Sequence, residues 1–144
     1  MATVHTYLTF DGNCEAAFDF YKSALGGEFK DLTRFSEMPP QEEYPPLSEE
    51  LKNRLMHVSL IIGAETVLMG SDTLPGMGPN LTVGNNFSIS LGVNAIAEAD
   101  KLFAALSAGG KVTMPLENTF WGAYFGMLTD QFGVNWMVNY DLPK

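Results

Sequence analysis

The stretch HTYLTF at residues 5–10, set beside SISLGV at residues 88–93, decides the fold of this chain. Each stretch is strand-like, and each is followed by a helix-like run that ends in a glycine pair, at 26–27 and at 109–110. The strand and the glycine pair both recur after 83 residues, from 5 to 88 and from 26 to 109. Such a repeat indicates a duplicated module. Because each copy is too small to bury much apolar surface alone, we expect the two to share one fold with a pseudo-symmetric cleft.

Composition and charge narrow the class of protein. A chain of 144 residues with 46% hydrophobic content is predicted to form one domain with a full core. Eight basic and seventeen acidic residues give a net charge of -9, which opposes binding to nucleic acid or to anionic membranes. No run approaches the ~20 apolar residues of a membrane span. The lone Cys14 excludes an internal disulfide, so we predict a cytoplasmic protein.

The first module, at about residues 1–72, is predicted to contain a strand, a helix and three further strands. In the opening strand the row Val4, Thr6, Leu8 and Phe10 alternates with polar residues and is expected to face the helix. Asn13 is a candidate cap for that helix. The remaining strands are predicted at 27–36, 55–62 and 66–71, with an acidic, proline-rich loop and a short helix within 37–53.

The second module, at about residues 86–144, repeats this plan after a connector at about 73–85. Its opening strand has the apolar row Phe87, Ile89, Leu91 and Val93, and Asn94 is a candidate helix cap. Further strands are predicted at 111–119, 121–129 and 134–140. The connector contains Gly76-Met77-Gly78, but Pro79 prevents a helix from starting there, which argues against a nucleotide-binding loop. The predicted class is therefore α+β, with two βαβββ modules in one domain.

Several motifs along the whole chain resemble the vicinal oxygen chelate superfamily, which includes glyoxalase I, bleomycin-resistance proteins and extradiol dioxygenases, and within it the PhnB-like branch. The motifs are YLTFDGNC at 7–14, FY at 20–21, LGG at 25–27, LMGSD at 68–72, TFW at 119–121 and FGMLTDQFGVNWM at 125–137. The resemblance implies a glyoxalase-like fold, with curved mixed sheets around a cleft. Some members of this branch carry a methyltransferase label, but this chain has no glycine-rich strand-to-helix loop for such a cofactor.

The resemblance also implies where a metal would be bound. In glyoxalase-like members, four inward positions on the first and last strands of the modules carry His or Glu ligands. In this chain the corresponding positions are His5, Met69, Ser88 and Met137. Thioethers and a neutral hydroxyl are poor ligands for hard or borderline divalent ions, so we expect the inherited metal site to be largely lost and predict no cofactor.

His57 leaves an alternative open. On the third strand His57 shares a face with Ser59. If His57 lies near His5, the two imidazoles and a third ligand, either Glu65 or an acidic residue of the loop, would form a metal site. Two other interpretations of the histidines compete with this one. Each is either a polar residue in the wall of a pocket, hydrogen-bonded to a neighbour such as Tyr7 or Ser59, or a general acid or base. The alternative function is accordingly a metal-dependent lyase, isomerase or dioxygenase that uses His5 and His57.

The main functional hypothesis is a protein that binds a small organic molecule in its cleft. Strand parity and the resemblance give the candidate ligand-binding residues: His5, Tyr7, His57, Ser59, Met69, Ser88, Ser90, Trp121 and Met137. Met77, Met114 and Met127 extend the predicted apolar lining, although methionines also fill cores. A third hypothesis is a module that serves only assembly. We further expect a homodimer, a structural role for Cys14, and a solvated acidic loop, with a lid for a cationic ligand as the alternative.

Overall fold

The protein forms two compact units, Met1–Thr82 and Val83–Lys144, in a computed structural model that describes residues 2–39 and 45–144. Each unit contains one four-stranded mixed sheet, and the order strand, helix, strand, strand, strand occurs in both. The first unit has an additional short helix before its third strand. The predicted α+β class with two βαβββ modules is therefore confirmed.

The sheet of the first unit has the order β1-β4-β3-β2. Strand β1 pairs in parallel with β4, while the β4–β3 and β3–β2 pairs are antiparallel. The elements are β1 (Thr6–Phe10), α1 (Cys14–Leu25), β2 (Glu28–Arg34), α2 (Glu49–Asn53), β3 (Leu55–Ile61) and β4 (Val67–Asp72), with a 3-10 turn at Phe35–Glu37.

The sheet of the second unit has the corresponding order β5-β8-β7-β6, again with one parallel pair, between β5 and β8. Its elements are β5 (Ile89–Gly92), α3 (Ile96–Ser107), β6 (Lys111–Asn118), β7 (Ala123–Thr129) and β8 (Asn135–Asp141). None of the helices among residues 2–39 and 45–144 is long and apolar enough to cross a membrane.

The two glycine pairs have the same structural role in both units. Gly26 and Gly109 follow α1 and α3 with positive φ angles of 78° and 75°, which a glycine adopts without steric cost. The second glycine of each pair lies against a neighbouring strand, because a Cβ at residue 27 or 110 would clash with the carbonyl oxygen of Ile61 or Thr129. The repeat of 83 residues thus corresponds to repeated backbone packing.

Each long helix places a phenylalanine ring over a strand glycine. A Cβ at Gly70 on β4 would lie 2.6 Å from Cε1 of Phe18, and one at Gly126 on β7 would lie 2.8 Å from Cε2 of Phe103. In the register of the sheets, Gly70 is opposite Val58 and Gly126 is opposite Val138. These contacts identify the face of each sheet that packs on its helix.

The apolar rows predicted to form the core do so only in part, and the buried members include Val93, just after β5. Leu8 and Phe10 are buried, but Val4 is 94% exposed and Phe87 is 57% exposed, so their assignment to the core was wrong. The reason is that β1 begins at Thr6 and β5 at Ile89, which leaves both residues outside the paired strands. Ile89 and Leu91 are half-buried rather than buried.

The helix caps also differ in part from the prediction. Asn13 lies at the N-cap of α1, although its side chain makes no capping hydrogen bond. The N-cap of α3 is Ala95 rather than the predicted Asn94. The backbone N–H of Asn94 instead donates to the Glu98 carboxylate at 3.4 Å. Packing of the apolar helix face therefore fixes the start of α3 without a side-chain cap.

Two buried aspartates connect loops to the sheets. Asp72, at the end of β4, accepts hydrogen bonds from the backbone N–H groups of Gly12, Cys14 and Leu55 at 2.8 to 2.9 Å. Asp130, after β7, accepts from the Phe132 and Val134 N–H groups and from the Trp136 indole N–H. These donors offset the cost of burying the carboxylates. Trp136 itself is 1% exposed and faces the helix, as strand parity predicted.

Candidate functional site

The face of each sheet opposite its helix, which we call the open face, carries most of the candidate residues. In the first unit Gly70, Val58 and Leu8 are on the helix face, so the residues that alternate with them point the other way. Tyr7 is opposite Met69, and Met69 is opposite Ser59. Tyr7, Met69 and Ser59 therefore form one row across three adjacent strands of the open face, as parity predicted.

His57 connects two members of this row. Its Nδ1 lies 3.1 Å from the Tyr7 hydroxyl, and its Nε2 lies 2.9 Å from the Ser59 hydroxyl. The Tyr7 and His57 rings also stack, with centroids 5.6 Å apart and planes inclined by 29°. We call these three residues the hydroxyl–imidazole chain. Each hydroxyl can both donate and accept, so the chain provides partners for the His57 ring nitrogens in either tautomer.

The open face of the second unit carries a row of methionines. Met137 is opposite Ser90 on one side and Met127 on the other, and Met127 is opposite Met114. All three methionines are partly exposed, and Ser90 is exposed. We call Met114, Met127 and Met137 the methionine row. It is bounded by the Ser90 hydroxyl at the β5 edge.

Aromatic side chains lie next to the methionine row. Phe125 is two residues before Met127 on β7, so both side chains are on the open face. Trp121, in the turn before β7, meets Phe125 edge to face with centroids 5.7 Å apart, and Phe120 meets Trp121 at 5.1 Å. Trp121 is 53% exposed and Phe120 98% exposed. The predicted strand at 121–129 begins at Ala123, so Trp121 lies in a turn rather than on the sheet.

The remaining candidates lie at the margins of the sheets. His5 is exposed and immediately precedes β1, and the half-buried Ser88 immediately precedes β5. Neither residue takes part in the paired register of its sheet. Their backbones are therefore not fixed by ladder hydrogen bonds, in contrast to Tyr7 and Ser90.

The residues present do not fit the superfamily's divalent metal. Within the part of the chain that the structure describes, no three His, Cys, Asp or Glu side chains come together as a metal site. Both ring nitrogens of His57 already face protein hydroxyls. Glu65, one of the proposed third ligands, lies in the turn at the far end of β3, ~13 Å along the strand from His57. Glu42 and Glu43 of the acidic loop lie outside the described residues.

The other glutamates of the acidic loop contact the protein itself. The Glu37 carboxylate accepts from the backbone N–H of Arg34 at 2.9 Å. Glu49 pairs with Lys52 at 3.6 Å, and Glu50 pairs with Arg54 at 3.5 Å. These contacts give the three carboxylates local partners at one end of the first sheet.

Cys14 is fully buried at the start of α1, and burial raises the pKa of its thiol, with a further rise from the Asp72 carboxylate. A thiol held protonated is a poor nucleophile and a poor metal ligand. The geometry supports the structural role predicted for Cys14.

On the surface near Cys14, hydrogen bonds from Arg34 lower the pKa of the Glu15 carboxyl. The two side chains are joined by contacts of 3.0 and 2.7 Å.

A separate pocket of about 340 Å³ lies in the first unit, where Asp11 meets the connector at Thr73, Leu74 and neighbouring residues. Hydrogen bonds from the Thr73 hydroxyl and from Arg54 lower the pKa of Asp11. None of the candidate residues derived from the sequence lines this pocket. Its lining combines the polar residues Asp11, Thr73 and Asn80 with leucines, prolines and glycines of the connector.

The sequence did not predict which methionines are opposite one another in the second sheet. Met114 and Met127 were predicted only as general lining, because strand parity assigns a face but not the partner on the next strand. The buried Asp72 and Asp130 were missed as well. A signal was present for Asp130, which follows an apolar strand and precedes a turn whose backbone N–H groups it can accept from.

Comparison with known proteins confirms the predicted resemblance. The model of the Glyoxalase/Bleomycin resistance protein/Dioxygenase superfamily matches residues 3–138. Protein YjdN of Escherichia coli is 33% identical over 138 residues, which cover 92% of this chain and 91% of that protein. The crystal structure of protein PA1353 from Pseudomonas aeruginosa is 41% identical, with a TM-score of 0.84, and the match covers 99% of this chain and 100% of that one.

A PhnB protein from Bacillus cereus, described as a putative 3-demethylubiquinone-9 3-methyltransferase, has the same fold. The TM-score is 0.76 at 24% identity, over 96% of this chain and 99% of that one. At this identity the likeness concerns the fold alone.

Proposed function

Since the chain belongs to the glyoxalase/bleomycin resistance protein/dioxygenase superfamily, we propose that it binds a small organic molecule on the open faces of its sheets. In this proposal, binding does not use the divalent metal of metal-dependent members. The observation that carries it is the hydroxyl–imidazole chain of Tyr7, His57 and Ser59. Both ring nitrogens are satisfied by hydroxyl groups, so the chain presents neutral donors and acceptors rather than a free ligand for a metal.

The chemistry of the open faces supports this proposal. A small-molecule site needs an apolar body and a few polar groups that fix orientation. Met69, in the same row of the first sheet as Tyr7 and Ser59, provides flexible apolar surface. The Tyr7 hydroxyl, which belongs to a residue 47% exposed, provides the accessible polar end of the chain. Its hydrogen bond to His57 is itself exposed, so a ligand hydroxyl or carbonyl can take its place or extend it.

A fragment screen tests this proposal. A library of neutral organic fragments is titrated against the full chain and followed by amide and imidazole NMR signals. We expect a binder to shift the signals of Tyr7 and His57. Tyr7→Phe keeps the ring stack but removes the hydroxyl, so it should weaken that binder about fivefold.

The control variant is Ser23→Ala, which removes a hydroxyl from the exposed surface of α1. It should leave binding unchanged. The proposal is wrong if no fragment shifts the open-face signals, or if Ser23→Ala weakens binding as much as Tyr7→Phe does.

The alternative function, a metal-dependent lyase, isomerase or dioxygenase built on His5 and His57, would require His57 to lose one hydroxyl partner. Tyr7→Phe and Ser59→Ala free one ring nitrogen each. An enzyme of this kind would therefore bind its metal at least as well after either change, whereas the binding-protein proposal expects no metal in either variant.

We also propose that the protein is cytoplasmic and assembles as a homodimer. Support for the dimer comes from exposed apolar side chains of the second unit, since Phe120 is 98%, Val83 66% and Phe87 57% exposed. Support for the cytoplasm comes from the free, buried Cys14. Light scattering at tens of micromolar that gives the monomer mass of 15.8 kDa would contradict the dimer.

A further inference from the structure

We infer that the ligand is a neutral, planar aromatic molecule with a hydroxyl substituent, and that its ring lies on the methionine row of the second unit. This inference rests on the proposed function and specifies its ligand class. It starts from the register, in which Met114, Met127 and Met137 are directly opposite one another on three adjacent strands. Directly opposed side chains have Cβ atoms ~5 Å apart, so the three thioethers form one continuous surface.

The methionine row favours an aromatic ring over an aliphatic one. Burial of apolar area rewards both kinds of molecule about equally. A thioether sulfur gains a further favourable contact with an aromatic ring, which an aliphatic ring cannot provide. The three sulfurs stand on neighbouring strands, so a ring laid on Met127 has a second thioether within reach on either side.

One wall of this surface is also aromatic. Phe125 lies beside the methionine row, two residues before Met127 on β7. Trp121 contacts Phe125 edge to face, and Phe120 contacts Trp121 in the same way. Phe125 is partly exposed, so one ring edge remains available to a ligand ring. Aromatic pairs of this kind contribute to affinity beyond the burial of apolar area.

The charges and polar groups around the row select a neutral ligand with a hydroxyl. On the open face the charged residues Lys111 and Glu117 lie on β6, at the outer edge, opposite Thr129 and Phe125. The residues next to Met127 and Met137 on the central strands, Phe125 and Asn139, are uncharged, and the Asp141 carboxylate at the end of β8 accepts a hydrogen bond from Asn139 at 3.1 Å. At the β5 edge the exposed Ser90 hydroxyl is opposite Met137 and can donate to or accept from a ligand hydroxyl.

A matched pair of probes tests the inference directly. 2-Naphthol is planar and aromatic, and decahydro-2-naphthol has the same carbon skeleton and hydroxyl but no aromatic ring. Both are titrated against the full chain labelled with 13C at the methionine methyl groups. We expect 2-naphthol to bind about tenfold more tightly, because roughly two ring contacts distinguish the probes. It should also move the methyl signals of Met114, Met127 and Met137 upfield, and leave that of Met38, near the 3-10 turn, unchanged.

Methionine-to-leucine variants separate the thioether contribution from apolar volume. Met127→Leu keeps the side-chain volume, so its melting temperature should stay within about 2 °C of the wild type. Its affinity for 2-naphthol should fall at least about threefold, while that for decahydro-2-naphthol should not change. Met38→Leu is the matched control and should alter neither affinity. If Met127→Leu is poorly folded, Met114→Leu at the edge strand serves the same purpose.

Three outcomes would overturn the inference. One is equal affinity for the two probes, which would make the row a general apolar lining. The second is a shift of the Met38 signal instead of the row, which would place the naphthol elsewhere. The third is binding of 2-naphthol that perturbs Tyr7 and His57 but leaves the methionine methyls unchanged. That third outcome would leave the proposed binding function standing and remove only the placement of the ring on the methionine row, whereas failure of all fragments would remove both.

Discussion

Replacing Asp130 by Asn tests the interpretation of the buried carboxylate that organises the turn before β8. One oxygen accepts from the backbone N–H groups of Phe132 and Val134 at 2.8 and 3.1 Å, and the other accepts from the Trp136 indole at 2.8 Å. An asparagine amide has a single acceptor oxygen. In either orientation its NH₂ group faces a donor, so Asp130→Asn leaves at least one buried N–H without an acceptor.

The expected loss follows from these contacts. An unsatisfied buried donor costs ~1 to 3 kcal/mol, and hydrogen bonds to a charged group are stronger than those to an amide. We therefore expect Asp130→Asn to lower the free energy of unfolding by about 2 to 4 kcal/mol. Urea denaturation followed by far-UV circular dichroism measures this value, and the indole N–H of Trp136, which is 1% exposed, should exchange faster with solvent.

The matched control is Asp141→Asn, at the exposed end of β8, where the carboxylate accepts one hydrogen bond from Asn139 at 3.1 Å. That variant should stay within about 0.5 kcal/mol of the wild type. If Asp130→Asn is as stable as Asp141→Asn, the carboxylate does not organise the turn, and the role assigned to these hydrogen bonds is wrong.

Four further predictions test the core, the thiol, the pH dependence and the metal content. Phe10→Ala, at a side chain 4% exposed, should cost about 3 to 5 kcal/mol of unfolding free energy, while Ser90→Val should cost far less; the reverse order in thermal melts would invert the two faces of the sheets. Cys14 should resist iodoacetamide in the folded protein and react only on unfolding, because burial raises the pKa of its thiol; rapid alkylation at neutral pH would refute this. The pKa of Glu15 is lowered from its ordinary value of 4.5 by hydrogen bonds from Arg34, so its stabilising contribution is present above pH 4.5 and is lost as pH falls through the lowered pKa. Glu15→Gln should therefore flatten the loss of stability on acidification, and an unchanged acid profile would show that the pair adds nothing. Protein purified without chelator or affinity tag should contain no stoichiometric divalent metal, and chelator should leave its melting temperature unchanged; one ion per chain would favour the enzyme alternative.

The fold followed from the sequence because its determinants are local. Alternation defined the buried positions of β1, and the glycine pairs marked the ends of α1 and α3. The errors occurred where a local pattern continues past the paired strand. Val4 and Phe87 keep the alternation of β1 and β5, but neither has a partner strand that holds it against the core.

The candidate site was predictable only to the level of a sheet face. Parity placed Tyr7, Ser59 and Met69 together, and the chain to His57 was among the interpretations that the sequence left open. Which residues oppose one another depends on strand register, which hairpin lengths and bulges determine. The methionine row across β6 and β7 includes such an irregularity between Val112 and Met114, so it became visible only in the structure.

The rings that pack on Gly70 and Gly126 bear on how the duplicated halves can evolve. Both long helices have twelve residues, but Phe18 is the fifth residue of α1 and Phe103 is the eighth residue of α3. A copy of α3 in place of α1 would therefore carry its ring at a different point along the helix from the ring that packs on Gly70. The two halves repeat the order of their elements, but their helices are not interchangeable residue for residue.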